Sequence, residues 1–224
     1  MSSIKENLSH IRQTIPQGVT LVCVSKFHPA EAIQEAYDCG ERVFGESRVQ
    51  ELTKKQKRLT MPDIKWHFIG HLQTNKVRQV VGNVAEIDSV DSLHLLEQIN
   101  RVAKDKNIVQ DILIEVHIGQ ETTKTGLSEQ DLPSLLGEAL RIPNIKVMGL
   151  MGMASNTDDE KQIRQEFSRL KKIFETCFQS GDVAQTDGSK SLVLSMGMSD
   201  DYLIAIEEGS TQVRIGSKIF GERS

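Results

Sequence analysis

The stretch VCVSKFHP, residues 22–29, decides how this chain is read. An apolar run stops at Ser25, a lysine follows at once, and Pro29 suits the first turn of a helix. A lysine that ends a buried strand has an ammonium partly stripped of water, which lowers its pKa and makes the neutral amine available as a nucleophile. Lys26 can therefore form a Schiff base. It can equally be an ordinary strand-end cation whose head reaches solvent along an apolar stem.

Working outward, Ser3 and Glu6 have the spacing of a capping box, and Ile4, Leu8, Ile11 and Ile15 follow at helical intervals up to Pro16-Gln17-Gly18. On the other side, Ile33, Ala36 and Tyr37 mark the inward face of a helix closed by Gly40. A short apolar run at 43–46 precedes Ser47, which suits the cap of a helix ending at Leu59. The basic residues Lys54, Lys55, Lys57 and Arg58 read as the wet face of that helix. Ile64, Trp66 and Phe68 then alternate as a strand does.

The same grammar repeats to the end of the chain. A short helix at 74–81 leads to a strand at 84–87, and Asp91 stands where it can cap a helix bearing Leu95, Leu96, Ile99 and Val102. A near-continuous apolar run at 112–118 has the pattern of a parallel strand covered on both faces. Ser128 caps a helix bearing Leu132, Leu135, Leu136 and Ala139, and a strand follows at 145–150. Ile163, Phe167, Leu170, Phe174 and Phe178 mark a long helix. Strands at 192–194 and 212–215 flank a last helix at 199–207. Eight strands alternating with helices, after one leading N-terminal helix, predict an α/β fold: a (β/α)8 TIM barrel forming a single domain over residues 1–224. An open doubly wound sheet would have fewer strands and a glycine fingerprint, and no GxGxxG occurs.

With 224 residues and a formal charge of -4, the chain is long enough for one large core and has no basic stripe to suit nucleic acid. Cys23, Cys39 and Cys177 sit within apolar patterns without CxxC spacing, which suggests reduced thiols in a cytoplasmic protein. No window approaches the length of a membrane span, and the N-terminus has no apolar signal region. Membrane association is not expected.

A barrel of this kind works at the C-terminal ends of its strands. Those ends here supply Lys26, Glu46, Gly70, His71, Ser89, His117, Met151-Gly152, Ser195 and Arg214. For Glu46 and Ser89 the simpler reading is a turn residue that reaches solvent. SMGMSD at 195–200 and RIGS at 214–217 each put a hydroxyl and a glycine where the backbone must come close to something, and the loops after strands seven and eight often hold phosphate. Asp200 and Asp201 argue against an anion there unless they turn outward as caps. A phosphate on one side and a Schiff-base lysine on the other together describe pyridoxal 5'-phosphate. His67, His71 and His117 lack metal-ligand spacing, so no metal is expected, and the absence of GxSxG argues against a hydrolase triad.

With VSKFHP around Lys26, FGESRVQEL from Phe44, WHFIGHLQTNKVR from Trp66, KTGL from Lys124, GLMGM from Gly149, LSMGMSDD from Leu194 and VRIGSKIFGER at the C-terminus, the sequence resembles the pyridoxal-phosphate homeostasis protein family. Its members look like the barrel domain of alanine racemase standing alone, a fold-type III pyridoxal-phosphate protein. The resemblance implies that Lys26 joins the cofactor as a Schiff base. It implies that Ser195, Gly216 and Ser217 hold the phosphate, that Arg214 faces the pyridine nitrogen, and that Asn75 helps line the pocket. A cation beside that nitrogen keeps it unprotonated and weakens the electron sink. Ser47 stands where the family usually has asparagine.

Alanine racemases use a lysine and a tyrosine as opposed bases, the tyrosine coming from a second domain. The tyrosines of this chain are Tyr37, placed inward by the helical pattern, and Tyr202, in the last helix. Without a second base efficient racemisation should fail. The expected function is therefore to bind, buffer and deliver pyridoxal 5'-phosphate to apoenzymes, without strong catalysis. An amino-acid racemase of restricted specificity is the alternative, and a cofactor-free barrel aldolase a second rival. Lacking the second domain's surface, the chain is expected to be a monomer or weak dimer.

Overall fold

The computed structural model describes residues 3–121, 125–178 and 192–222, so Lys124 of the KTGL motif and Arg223 lie outside the described residues. Eight parallel strands close into a barrel in chain order: β1 Thr20–Val24, β2 Val43–Glu46, β3 Lys65–Phe68, β4 Glu86–Val90, β5 Gln110–Val116, β6 Ile145–Gly152, β7 Val193–Ser195 and β8 Gln212–Ile215. The leading helix α1 (Ile4–Thr14) precedes them, with Ser3 and Glu6 making both bonds of the capping box. Between the strands run α2 (Ala30–Asp38), α3 (Val49–Arg58), a 3-10 turn (Thr74–Lys76) with α4 (Val77–Val80), α5 (Leu93–Asp105), α6 (Leu132–Ala139), α7 (Glu160–Phe178) and α8 (Tyr202–Glu207). A final turn of helix, α9 (Ser217–Phe220), follows β8. The expected barrel with its leading helix is the observed fold.

The apolar positions read from the helical patterns meet the outer faces of the strands in one large core, with Phe44, Phe68, Phe167 and Leu96 fully buried. Inside the barrel, Leu113, Met148 and Met151 form a separate small cluster. Between β5 and β6 the register slips, with Ile112 opposite Val147 but Leu113 opposite Gly149. The extra residue is a bulge, and Gly149 sits there at φ +154° with its missing Cβ directed at the Val193 carbonyl, 1.8 Å away.

Several boundaries differ from the sequence reading, each for a tertiary reason. β4 runs Glu86–Val90 rather than 84–87, because its partners pair His67 with Glu86 and Ile114 with Val90, burying Glu86 and also Asp88, which the sequence places beyond the strand. The cap of α3 is Arg48, not Ser47, whose backbone packs against Gly70 so closely that a Cβ there would clash at 2.3 Å. Ser92 rather than Asp91 caps α5. β5 stops at Val116, where His117 turns to donate to the Leu127 carbonyl (2.9 Å). Ser128 accepts from the Asp131 amide in the turn before α6 (3.2 Å). The 199–207 helix begins only at Tyr202. Tyr37 is half-buried, its hydroxyl donating to Asp63 (2.5 Å) and its ring under Arg42. Cys39 is exposed and Cys177 half-buried, while Cys23 is fully buried.

The wet face assigned to α3 is also incomplete, since Lys54, Lys57 and Arg58 are exposed but Lys55 is 5% exposed. Its ammonium donates to Glu46 Oε1 (2.7 Å), Glu51 Oε1 (2.6 Å) and the Ser25 carbonyl (2.7 Å). The Ser25 hydroxyl donates to the same Glu46 oxygen (2.6 Å), and the Phe27 amide donates to Glu51 Oε1 (2.6 Å). Both neighbours of Lys26 are thus tied to one buried cation. Phe27 is held at φ +69°, a left-handed conformation unusual for a residue with a side chain, with the Arg48 guanidinium 4.7 Å over its ring. Glu46, expected to reach solvent, is fully buried. Burial pushes its carboxyl up from the ordinary 4.5, and Lys55 opposes that shift without cancelling it.

Gly149→Ala should therefore lower stability by roughly 2–4 kcal/mol in urea unfolding, since the backbone of β7 must move; a loss under 0.5 kcal/mol would mean the bulge is pliable. Lys55→Met should cost about 3–5 kcal/mol near neutral pH by leaving the buried Glu46 carboxylate and the half-buried Glu51 carboxylate without their cation. A raised folded-state pKa makes a stabilising contribution below the unfolded value and loses it as pH rises through the folded value. Without Lys55 the Glu46 carboxyl climbs further, so the deficit should be smaller at about pH 5 than at about pH 8. A deficit that does not change with pH contradicts the clamp.

Candidate functional site

At the C-terminal end of the barrel a cavity of about 250 Å³ opens between the ends of β1, β7 and β8, lined by Val24, Lys26, His28, Ile69, Met153, Met198, Ser199, Asp200, Arg214, Gly216, Ser217 and Gly221. Val22 pairs with Arg214 and Cys23 with Ile215, so closing the sheet is what sets Lys26 beside the RIGS segment. Lys26 is half-buried, between the anchored Ser25 and Phe27.

Arg214 lies on the other side of the cavity, 4% exposed. Its Nη1 donates to Ser195 Oγ (2.7 Å) and its Nη2 to the Gly152 carbonyl (3.1 Å). Burial lowers its pKa from the usual arginine range, while Asp88, Glu115 and Asp201 act in the opposite direction. A guanidinium remains charged through such a shift, so the floor of the cavity is cationic.

At the RIGS end, the Gly216 amide donates to Ser199 Oγ (3.2 Å), and a Cβ on Gly216 would sit 3.0 Å from the Val24 carbonyl. Ser199 and Ser217 are thereby gathered at the cavity wall with bare backbone between them. Asp201 turns away and accepts from the Met198 amide (2.6 Å), as a loop cap does; Asp200 stays exposed at the wall.

Four of the six residues expected to bind cofactor line this cavity: Lys26, Arg214, Gly216 and Ser217. Ser195 is fully buried below it, accepting from Arg214 and from Gln212 Nε2 (3.1 Å). Asn75 lies on the exposed 3-10 turn and does not line it. Ser89, expected to be an exposed turn residue, is buried and donates to the Gly70 carbonyl (2.5 Å).

Sequence reasoning missed Ser199 as a wall residue and Lys55 as the anchor of the lysine's neighbours. The SMGMSD motif contained the first. Nothing in a lysine-rich helix face marked the second.

The two tyrosines are elsewhere. Tyr202 is buried against α1, its hydroxyl 2.9 Å from that of Thr14, and Tyr37 is engaged with Asp63. Of the histidines weighed as metal ligands, His67 is buried between Glu86 and Asp88 below the cavity, whereas His71 is exposed and 3.6 Å from Asp91. Burial, and next Asp88, pushes the Glu86 carboxyl up to about 7.

An amine, a buried guanidinium, two hydroxyls and close-approaching glycine backbone around an apolar wall form a donor set suited to a small aldehyde with an anionic tail. The family model for the N-terminal domain of alanine racemase matches residues 1–224. Pyridoxal phosphate homeostasis protein from Aquifex aeolicus is 44% identical over 203 residues, covering 91% of this chain and 86% of that one. The protein of the same name from Vibrio alginolyticus is 36% identical over 237 residues, covering 100% and 99%. Among solved structures, PipY of Synechococcus elongatus with PLP bound superposes with a TM-score of 0.89 at 35% identity, covering 98% of this chain and 100% of that one. An alanine racemase of Clostridium difficile, at 14% identity, shares the fold with a TM-score of 0.80, this chain covering 56% of it. Matched by these relatives over most of their length, the chain belongs to the pyridoxal phosphate homeostasis protein family.

Proposed function

We propose that this chain binds pyridoxal 5'-phosphate in the Lys26–Arg214 cavity and serves in its homeostasis, buffering the cofactor and passing it to apoenzymes. The single observation that carries the reading is the convergence of Lys26, Arg214, Gly216 and Ser217 on one cavity, in a chain 35% identical to a protein solved with PLP bound. The cofactor supplies an aldehyde that condenses with a primary amine, and a ring that delocalises charge. Lys26 provides that amine, held in place by the Ser25 and Phe27 anchors. Ser199, Ser217 and the backbone at Gly216 hold the phosphate. Arg214 lies beside the pyridine nitrogen, with Ser195 acting one step back to orient its guanidinium. Asn75 takes no part in this cradle.

The chain acts as one barrel domain over residues 1–224, as a monomer or weak dimer, and without efficient catalysis of its own. The engagement of Tyr37 and Tyr202 with Asp63 and Thr14, away from the cavity, supports that last point, because racemisation needs a second base on the opposite face. Among the described residues no helix is long and apolar enough to cross a membrane. That and the free cysteines agree with a cytoplasmic setting.

Purified protein mixed with pyridoxal phosphate should develop the visible absorbance of a lysine-bound cofactor, and Lys26→Ala should abolish it. Ser217→Ala, losing a hydrogen bond to a charged group, should weaken binding by roughly 10-fold to 100-fold. A band that survives in Lys26→Ala places the lysine elsewhere. No band in the wild type leaves the aldolase reading. Loaded protein should activate a pyridoxal-phosphate apoenzyme at least as fast as an equal amount of free cofactor; failure to activate it contradicts delivery. Prompt, Lys26-dependent exchange of an amino acid's α-proton with deuterium would make the protein an enzyme.

A further inference from the structure

The opposite end of the barrel holds a second constellation. His67 on β3 and Glu86 and Asp88 on β4 are all buried, and Gln212 from β8, across the barrel, reaches Asp88 Oδ2 (3.0 Å) and Glu86 Oε1 (3.5 Å). Strands four and eight face each other across an eight-stranded barrel, so these side chains meet in its interior. His67 Nδ1 lies 3.3 Å from Glu86 Oε1 and 3.3 Å from Asp88 Oδ1. Neither His67 Nδ1 nor Asp88 Oδ1 makes a hydrogen bond to a described residue, although both are buried. Buried polar atoms are almost always satisfied, and these two face each other at 3.3 Å, outside hydrogen-bond geometry: a proton on His67 would pair them, and a cation between them would be ligated by both.

We propose that His67 Nδ1, Glu86 Oε1 and Asp88 Oδ1 form a three-ligand site for a divalent first-row transition cation such as Zn2+. Ligands bound to Zn2+ at about 2.0–2.1 Å in a tetrahedron lie about 3.3–3.4 Å apart, which is the separation of the imidazole nitrogen from each carboxylate oxygen. One nitrogen and two carboxylate oxygens suit a borderline cation, and a charge of +2 balances two carboxylates beside a neutral imidazole. Gln212 holds the other Asp88 oxygen, as outer-shell partners orient a ligating carboxylate. A cavity of about 480 Å³ at the N-terminal mouth, lined in part by His67, Glu86, Gln212, Lys65 and Asp111, gives a cation access and leaves room for water in the fourth position. The site joins β3 to β4. Through Gln212 and Ser195 it touches the hydrogen bonds that hold Arg214, so its role is structural, at the end of the barrel remote from Lys26.

The full chain, stripped with chelator and dialysed against Zn2+ alone, should retain about one ion per molecule by elemental analysis and melt higher than the stripped protein. Asp88→Asn and Glu86→Gln should each weaken Zn2+ binding at least about 10-fold, with far-UV circular dichroism establishing that they fold. Substituting the exposed His94→Gln should leave uptake unchanged. X-ray absorption on the loaded wild type needs no variant and should report a first shell of one imidazole nitrogen with oxygens. The proposal is overturned if the wild type retains no Zn2+, as expected when a protonated His67 simply pairs with the two acids. Uptake undiminished in both folded variants, or a shell containing sulfur or several imidazoles, overturns it too.

Discussion

The parallel pairing of β1 with β8 is the constraint on which the rest depends. It joins residues nearly 200 positions apart in the chain, setting Thr20 against Gln212 and Val22 against Arg214, and it removes the last free edge of the sheet. Only after that closure does Lys26 face Arg214, and only then does the Val24 carbonyl press against the bare Cα of Gly216. An open sheet with the same strands would leave the amine at one edge and the anion cradle at the other.

The interior of that barrel is polar where the chemistry is and apolar between. Charges there are costly to bury unless paired or hydrogen-bonded, and the partners they have fix geometry rather than adding much stability. Lys55 answers Glu46 and Glu51 and in doing so fixes the backbone on both sides of Lys26. Arg214 is held by a hydroxyl and a carbonyl, with no carboxylate in direct contact among the described residues, so its guanidinium stays available to the cavity under the more distant influence of Asp88, Glu115 and Asp201. Gln212 and Ser195 connect this arginine to the acids at the other end of the barrel, past the small cluster of Leu113, Met148 and Met151. The two ends of the barrel thus share one hydrogen-bonded column.

The family likeness and the differences from racemases fit the same geometry. A racemase of the shared fold is almost twice as long, this chain covering 56% of it. Within the barrel, the hydroxyls of Tyr37 and Tyr202 are directed to Asp63 and to α1, so the cavity is left with one amine and no opposed phenol among its lining residues.

The sequence alone determined the repeating strand-helix order and the capped first helix, and it placed Lys26, Arg214, Gly216 and Ser217 at the rim where the cavity opens, because hydrophobic periodicity and strand-end position are local properties of a chain. It read Lys55 as solvent-facing and Glu46 as a turn residue, and it ended β4 at Ile87, one residue short of the Asp88 carboxylate. Each of these is a charged group whose burial depends on a partner distant in sequence or on another element, and no local pattern reports such a partner. Ser195 was placed at the rim as a strand end and given the phosphate by the family resemblance, which alone supplied Asn75; the direction of a side chain at a closing strand, and the exposure of a 3-10 turn, are decided only when all eight strands have met.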